Sequence, residues 1–298
     1  MSIILMLNLK GGVAKTTNAV AIAEAMAEAG KRVLVIDADH QCMASELLIG
    51  PARLERCENS RRTLHDMLST MLAPEFDTET IPRYIVNQVS LIGEGFPGLD
   101  LLPCSIRIDD FQTNVARARR GYKDADEFQR DLKRGLAALE RYMRGQYDFV
   151  LVDCPPTIAL QVKQFIGIAD SFVIPCVPDT LSVRGSFWLL DRLRRMNVKR
   201  IQPLGTLWSL YRAQAAVHRE VIQRTEAGEM PFSALPEPFV TVIPNAVSVA
   251  AAMDPFSEEH PPTFREKYGT NIARLYRQAA EELEMRSARL ARRLNAPR

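Results

Sequence analysis

A glycine-rich segment near the N-terminus carries the residue types that bind phosphate. Residues 10–17 have the sequence KGGVAKTT, with two glycines, two lysines and two threonines. The glycines allow the backbone to curl so that successive N–H groups point inward, and a helix beginning near Thr16 would add the positive end of its dipole. Lys15 would contact the terminal phosphates, and the Thr16 hydroxyl would ligate a magnesium ion that bridges them. The segment therefore predicts a site for a nucleoside triphosphate.

The flanking residues predict the elements that position this segment. An apolar run at residues 3–7 is too short for a helix and suits a buried strand, whereas residues 19–29 are typical of a helix. In all, strands are predicted near residues 2, 33, 99, 148, 171, 203 and 239, with helices between most of them. This alternation predicts an α/β fold, with a mostly parallel, twisted sheet and helices on both of its faces.

Carboxylates directly follow two of the predicted strands. Asp37 and Asp39 come after the apolar residues 33–36, and Asp153 comes after residues 149–152. Because α/β sheets bind ligands at the carboxyl ends of parallel strands, we expect these side chains near the glycine-rich segment. A solvent-exposed pair at a strand end is the alternative for Asp37 and Asp39. Cys154 has no evident base nearby and is expected to be a packing residue.

These motifs resemble those of the ParA/MinD family of deviant Walker A ATPases, and most closely the ParA-like partition ATPases. Residues 10–17 match the pattern K-G-G-x-[GA]-K-T-T, residues 37–41 match D-x-D-x-Q, and residues 147–156 match the Walker B pattern Y-D-x-[IV]-[IL]-[IV]-D-x-P-P. The resemblance spans nearly the whole chain and is specific at these three motifs. It implies a P-loop NTPase fold, ATP and Mg²⁺ as cofactors, and ATP hydrolysis that is slow without a partner.

The resemblance also implies a role for individual residues. Lys10 would reach across a homodimer interface to the nucleotide of the partner subunit, and Asp39 would position the attacking water. The implied catalytic residues are Lys10, Lys15 and Asp39, and those around magnesium are Thr16, Asp37 and Asp153. The implied nucleotide-binding residues are Gly11, Gly12, Val13, Ala14, Lys15, Thr16, Thr17 and, beside the adenine, Pro244.

Some residues depart from the family pattern. Ala14 stands in place of Gly, and its methyl group is expected to fit with a φ below zero. His40 stands where the family usually has Pro, and the sequence suggests no mechanism for it. Gln214 and Ser248 align with the DNA-contacting arginines of the family, and Asn245 with another arginine. The remaining candidates for DNA contact are Arg192, Arg195, Lys199, Arg200, Arg212 and Arg219.

Length and composition limit the class of protein. With 298 residues, 47% of them hydrophobic and 25% charged, the chain is typical of a soluble globular protein. A net charge of +2 is too small to indicate a nucleic-acid binder by itself. Five scattered cysteines without a C-x-x-C pair argue against a disulfide framework and against zinc or iron–sulfur sites, as expected for a cytoplasmic protein. No apolar run approaches the ~20 residues of a membrane span.

We expect residues 1–298 to form a single ATPase domain with a family-variable insertion at about 51–97. The insertion would provide a partner-specific surface or only cover the edge of the sheet. A basic C-terminal helix is predicted at about 271–294, in contact with DNA, a membrane surface or only the domain itself. Trp188 is expected in the core or at an interface. No segment precedes the first strand, so the N-terminal helix-turn-helix domain of larger partition ATPases is expected to be absent.

The resulting hypothesis is an ATP-dependent partition or cargo-positioning ATPase. It would dimerise on ATP, bind non-specific DNA on the nucleoid, and be released when a centromere- or cargo-binding adaptor protein stimulates hydrolysis. Two alternatives stay open. One is a MinD-like positioning ATPase that associates with membranes through its last helix, and the other is an ATP-using enzyme of the same fold.

Overall fold

The computed structural model describes residues 1–73, 76–122, 124–198, 200–257 and 260–295. Within them, six parallel strands form one sheet in the order β3-β2-β4-β1-β5-β6. The strands are β1 Ser2–Met6, β2 Val33–Asp37, β3 Leu99–Leu102, β4 Phe149–Asp153, β5 Ser171–Cys176 and β6 Gln202–Trp208. The predicted α/β fold with a parallel sheet is confirmed.

Helices connect the strands and cover both faces of the sheet. They are α1 Lys15–Glu28, α2 Met43–Ile49, α3 Pro51–Asn59, α4 Leu64–Thr70, α5 Phe111–Arg119, α6 Ala125–Gln146, α7 Leu160–Ile168, α8 Thr180–Arg195, α9 Ala216–Glu226, α10 Val247–Ala252, α11 Phe264–Tyr268 and α12 Thr270–Asn295. Short 3₁₀ helices occupy Thr78–Tyr84, Ile106–Asp110 and Phe232–Ala234. The chain crosses the sheet in opposite directions from β1 to β2 and from β5 to β6, so right-handed crossovers place α1 and α8 on opposite faces.

The central strands are buried along their length, as expected for a sheet covered on both faces. Their register aligns the ends of three strands, because Asp153 pairs with Met6 on one side and with Asp37 on the other. We call the edge of the sheet at which all strands end the carboxyl edge, and the opposite one the amino edge. The loop from β1 to α1 therefore lies at the carboxyl edge, beside the two carboxylates.

The predicted strand near residue 239 is wrong. Among the described residues, the segment 238–244 pairs with its neighbours through two isolated bridges, Thr206 with Pro238 and Tyr211 with Pro244, and not through a continuous ladder. The prolines offer no N–H group to a neighbouring strand. In addition, the Glu282 carboxylate of α12 accepts the N–H groups of Val240 and Thr241 at 2.9 and 3.2 Å, so these donors are not available for a ladder.

Residues 51–97 and the C-terminal helix both pack on the sheet domain. Val86 forms an antiparallel bridge with Leu101 of β3, so the segment covers that edge of the sheet. Along α12, Tyr276 and Leu283 are buried, and the helix lies against α1. None of the described helices is both long enough and apolar enough to cross a bilayer.

Candidate nucleotide site

The loop between β1 and α1 forms an open cradle at the carboxyl edge. Gly12 has a φ of +70°, which favours glycine, and a Cβ added at Gly11 or Gly12 would meet no atom within 4 Å. No side chain in the described part of the chain caps the first turn of α1, so its N–H groups face the cradle without a side-chain acceptor. Unpaired N–H groups at the start of a 14-residue helix suit an anion such as phosphate.

Ala14 occupies this loop in a strained conformation. Its φ is +64° and its ψ +35°, so the condition for an unstrained methyl group, a φ below zero, is not met. A left-handed backbone brings the Cβ of an L-residue close to the following carbonyl oxygen and costs roughly 1–2 kcal/mol. The loop thus keeps the conformation that glycine prefers although the residue is alanine.

The two lysines of the loop point in different directions. Lys15 is buried and its Nζ donates to the Lys10 carbonyl oxygen at 3.3 Å. Burial lowers the pKa of Lys15, while the carboxylates of Asp153 and Asp39 act in the opposite direction. Lys10 instead extends to the first turn of α8, where its Nζ lies 3.1 Å from Ser182 Oγ and 3.5 Å from Asp179 Oδ1. Lys15 thus lies inside its own site, whereas Lys10 lies at the surface of that site.

Asp153 is a fully buried carboxylate without a hydrogen-bond partner. Neither of its oxygens has a donor in hydrogen-bonding geometry among the described residues. Burial raises the pKa of Asp153 well above its ordinary value, and the neighbouring Asp37 raises it further, although Thr16 and Lys15 act against this. An orphaned carboxylate beside a hydroxyl is the donor set that a hard divalent cation such as Mg²⁺ prefers, so these residues fit the implied metal.

Asp37, by contrast, has its oxygens occupied. Its Oδ2 accepts the N–H and the hydroxyl of Ser45 at 2.8 and 2.7 Å, and its Oδ1 accepts the Asp39 N–H at 3.2 Å. Burial raises the pKa of Asp37 to about 6, against the lowering effect of these bonds. The carboxylate therefore anchors the start of α2 to the end of β2, beside Asp153.

Asp39 lies at the opening of the site. Its side chain is 13% exposed, and its Oδ1 accepts the Gln41 N–H at 3.1 Å. Of the other predicted residues, Val13 is buried, while Thr16 and Thr17 are half-buried in the first turn of α1. Pro244 reaches the same edge through its bridge to Tyr211. The structure therefore brings all predicted nucleotide and magnesium residues to the carboxyl edge.

Some residues that hold this site were not singled out from the sequence. The Asn8 side chain accepts the Lys10 N–H at 3.0 Å and donates to the Pro175 carbonyl oxygen at 2.8 Å, which ties the start of the loop to β5. Asp179 accepts the Ser182 N–H at 2.7 Å as the cap of α8 and also contacts Lys10. Asp179 could have been found from the sequence, because it is a typical helix-capping residue between a predicted strand and a predicted helix. The sequence contained no comparable signal for Asn8.

The candidates for DNA contact do not form one surface. Because α8 runs from the carboxyl edge to the amino edge, Arg192, Arg195 and Arg200 lie on the side away from the nucleotide loop. Arg212 and Arg219 follow β6 and lie at the carboxyl edge. Lys199 lies outside the described residues. The structure therefore divides these candidates between the two edges of the sheet, and contact of either group with DNA stays a prediction.

Most of these arginines have partners within the chain. Arg195 pairs with Asp191 at 2.8 Å, Arg200 pairs with Glu140, and Arg219 donates to the Ala213 carbonyl oxygen. Both Nε and Nη2 of Arg212 lie 2.9 Å from the Asn245 side-chain oxygen, with the amide oriented to accept both. Arg192 makes no ion pair with any described residue.

Two further expectations concern Trp188 and Cys154. Trp188 is 57% exposed, with the Arg184 guanidinium 4.8 Å from its ring centroid, which excludes the core of the subunit and leaves a place at an interface as a prediction. Cys154 is fully buried, and burial raises its pKa well above the ordinary value. A buried thiol of this kind is a packing residue rather than a nucleophile. The five cysteines are buried and free.

Comparison with known proteins identifies the relatives of this chain. A family model described as an AAA domain matches residues 1–204. The chromosome partitioning protein ParA of Caulobacter vibrioides is 29% identical over 251 residues, which cover 82% of this chain and 81% of that protein.

Two solved structures resemble the fold. Cobyrinic acid a,c-diamide synthase from Mycobacterium smegmatis with bound ADP and magnesium is 25% identical, with a TM-score of 0.62, over 100% of this chain and 96% of that one. Apo McdA of Cyanothece is 18% identical, with a TM-score of 0.67, over 95% of this chain and 99% of that one. At this identity the likeness shows only that the two proteins share a fold. Since the family model covers more than half of the chain, and the deviant Walker A and Walker B residues meet at one edge of the sheet, the chain belongs to the ParA/MinD family of P-loop ATPases, a family of partition and positioning proteins.

Proposed function

We propose that this ATPase forms an ATP-dependent sandwich dimer, binds non-specific DNA in that state, and is released when a partner protein stimulates hydrolysis. The observation that carries the proposal is the placement of the two loop lysines. Lys15 lies within its own site, while Lys10 extends away from it to the surface beside α8. A lysine in that position is available to the nucleotide of a second subunit.

The chemistry within one subunit follows from the geometry of the site. The open N–H groups of the loop and of α1 would bind the β- and γ-phosphates, with the Lys15 ammonium beside them. Thr16 and Asp153 would hold magnesium, with Asp37 behind them. A bound magnesium ion would supply positive charge against the phosphate oxygens. Asp39, at the opening, would orient a water molecule in line with the γ-phosphate.

Exposed apolar side chains around the site support a second copy of the chain as the partner. Met43, Ile106, Leu181, Val217 and Val247 all belong to segments at the carboxyl edge, and the last is 87% exposed. Exposed apolar groups that surround a polar site are typical of a surface that becomes covered in an assembly. Dimerisation through this edge would cover them and would bring Lys10 to the partner's nucleotide.

The dimer is tested with a lysine variant and a matched control. Lys10→Ala should still bind ATP but should elute as a monomer in size-exclusion chromatography with ATP and Mg²⁺. Lys163→Ala, at an exposed lysine of α7, should dimerise like the wild type. A normal ATP-dependent dimer of Lys10→Ala would refute the cross-subunit function of this residue. Lys15→Ala should lose nucleotide binding itself.

DNA binding is tested by titrating non-specific duplex DNA with ATP, with ADP and without nucleotide, across a salt series. We expect binding with ATP alone that weakens steeply with salt, because each phosphate contact releases counterions. Arg192→Ala and Arg212→Ala then compare the amino edge with the carboxyl edge. Absence of binding in all three nucleotide states would refute the DNA part of the proposal and, with it, localisation on the nucleoid. An adaptor would be recognised as a protein that accelerates phosphate release from the DNA-bound state.

A second candidate is an ATP-using enzyme of the same fold. The likeness to the Mycobacterium synthase over the whole chain favours it. Such an enzyme would hydrolyse ATP only with its acceptor substrate and would need no dimer through Lys10. A membrane-associated ATPase would have to contact lipid with the end of α12 alone, because Leu283 is buried against the domain while Leu294 is 59% exposed.

A further inference from the structure

His40 lies directly beside Asp39, the carboxylate at the opening of the site. Its Nδ1 is 3.4 Å from Asp39 Oδ1 and 3.8 Å from Asp109 Oδ1, at the end of the 3₁₀ helix that follows β3. The imidazole is 38% exposed, and Asp109 is 66% exposed. The histidine thus bridges the loop after β2 and the loop after β3.

The neighbouring glutamine determines which ring nitrogen carries the proton. Gln41 Nε2 lies 2.7 Å from His40 Nε2, and an amide NH₂ group only donates. With the Gln41 amide in this orientation, His40 Nε2 is the acceptor, and the ring proton lies on Nδ1, the nitrogen that faces the two carboxylates.

The two oxygens of Asp39 have different surroundings as a result. Oδ1 accepts the Gln41 N–H at 3.1 Å and faces His40 Nδ1. No described residue donates a hydrogen bond to Oδ2. Because Oδ1 already accepts the Gln41 N–H and faces His40, Oδ2 is the oxygen available to a water molecule in the site.

We propose that His40 is a positioning residue for Asp39. It holds the Asp39 carboxylate so that Oδ2 accepts a hydrogen bond from the attacking water. Asp109 in turn orients the imidazole. The inference rests on the proposed function of Asp39 in hydrolysis. A carboxylate that is already held in place loses little conformational freedom when the reaction occurs. The contact with His40 should therefore accelerate the chemical step and should not change the affinity for ATP.

The test compares histidine variants by steady-state phosphate release with ATP and Mg²⁺. His40→Ala should lower kcat about 3- to 10-fold with an almost unchanged KM, because a contact to Asp39 is lost and the phosphate cradle is intact. His40→Asn keeps an N–H group near the position of Nδ1 and should restore kcat to within about twofold of the wild type. His260→Ala changes an exposed histidine outside the site and should have wild-type kinetics.

A double-variant cycle tests the contact to Asp109. Asp109→Ala should lower kcat about twofold in the wild-type background and have no further effect in His40→Ala. Equal losses in both backgrounds would overturn the bridging geometry. A wild-type kcat for His40→Ala, an increase in its KM instead, or equally low kcat values for His40→Ala and His40→Asn would overturn the positioning function.

The inference and the proposed function fail in different ways. If the wild-type protein releases no phosphate from ATP, both are refuted. If it does so and Asp39→Ala abolishes the release while His40→Ala does not alter it, only the inference is refuted. Thermal unfolding of each variant shows whether a lost activity reflects lost folding, and His40→Leu, which also lacks the N–H group, replaces His40→Ala if that variant does not fold.

Discussion

Replacing Asp153 by asparagine is expected to stabilise the protein while it removes activity. The Asp153 carboxylate is fully buried and no described residue donates a hydrogen bond to it, and its pKa lies well above the ordinary 3.8. Ionisation therefore favours the unfolded state, and the free energy of unfolding falls as the pH rises from about 4 until the folded pKa is reached. Asparagine has nearly the same shape and no charge, so the variant lacks this penalty.

The size of the effect follows from the same pKa shift. About 3 pH units separate the ordinary pKa from pH 7, and each unit corresponds to about 1.4 kcal/mol, so the penalty is at most about 4 kcal/mol. The lost attraction between Asp153 and Lys15 reduces the gain. We expect Asp153→Asn to raise the free energy of unfolding by about 1–3 kcal/mol. For a chain of this length, that corresponds to a rise in Tm of about 2–6 °C.

The assay is thermal unfolding in EDTA between pH 5 and pH 8, beside phosphate release with Mg²⁺ and ATP. The Tm difference between variant and wild type should widen as the pH rises, whereas ATP hydrolysis should fall about 10- to 100-fold. Asp148→Asn is the control at the other end of β4. Hydrogen bonds from Arg32 lower the pKa of Asp148, so its loss should destabilise slightly. A Tm for Asp153→Asn that equals the wild type at pH 7, or a difference independent of pH, would refute the reasoning.

The other predictions concern the loop, a buried ion pair and hydrolysis. Ala14→Gly should raise the free energy of unfolding by about 0.5–1 kcal/mol in urea titrations, because glycine relieves the left-handed strain; an equal or lower value would contradict it. Glu24→Ala should lower the free energy of unfolding by about 3–5 kcal/mol, because Lys267 would stay buried without the carboxylate that now lies 2.7 Å from its Nζ. The control is Asp191→Ala, which breaks an exposed ion pair with Arg195 and should lower the free energy of unfolding by less than about 1 kcal/mol. Asp39→Ala should bind ATP and accumulate as a dimer in size-exclusion chromatography, and unchanged phosphate release would exclude its function with water.

The predicted fold and the nucleotide site followed from local signals in the sequence. Apolar runs of strand length alternate with helical segments, and such a chain buries its strands only in a parallel sheet covered on both faces. Parallel strands end at one edge, which places Asp37 and Asp153 at the same edge as the loop that starts at Lys10; the observed strand order then makes the two carboxylates neighbours. Phosphate recognition by backbone N–H groups depends on a short contiguous segment. A sequence motif contains all residues of such a segment, so the phosphate loop could be predicted from the sequence.

Other features depend on contacts between residues that are far apart in the chain, and only the tertiary structure shows these contacts. Glu282 accepts the N–H groups of Val240 and Thr241, so the segment near residue 239 is not a strand. Asp179, distant in sequence, determines where Lys10 extends, and Asp109 determines what His40 contacts. Adjacent positions in a sequence do not specify which side chains meet across a fold, because side-chain contacts depend on the path of the whole chain. The sequence by itself therefore determined the fold class and the phosphate loop, and the tertiary structure alone decided the partners of the charged side chains around it.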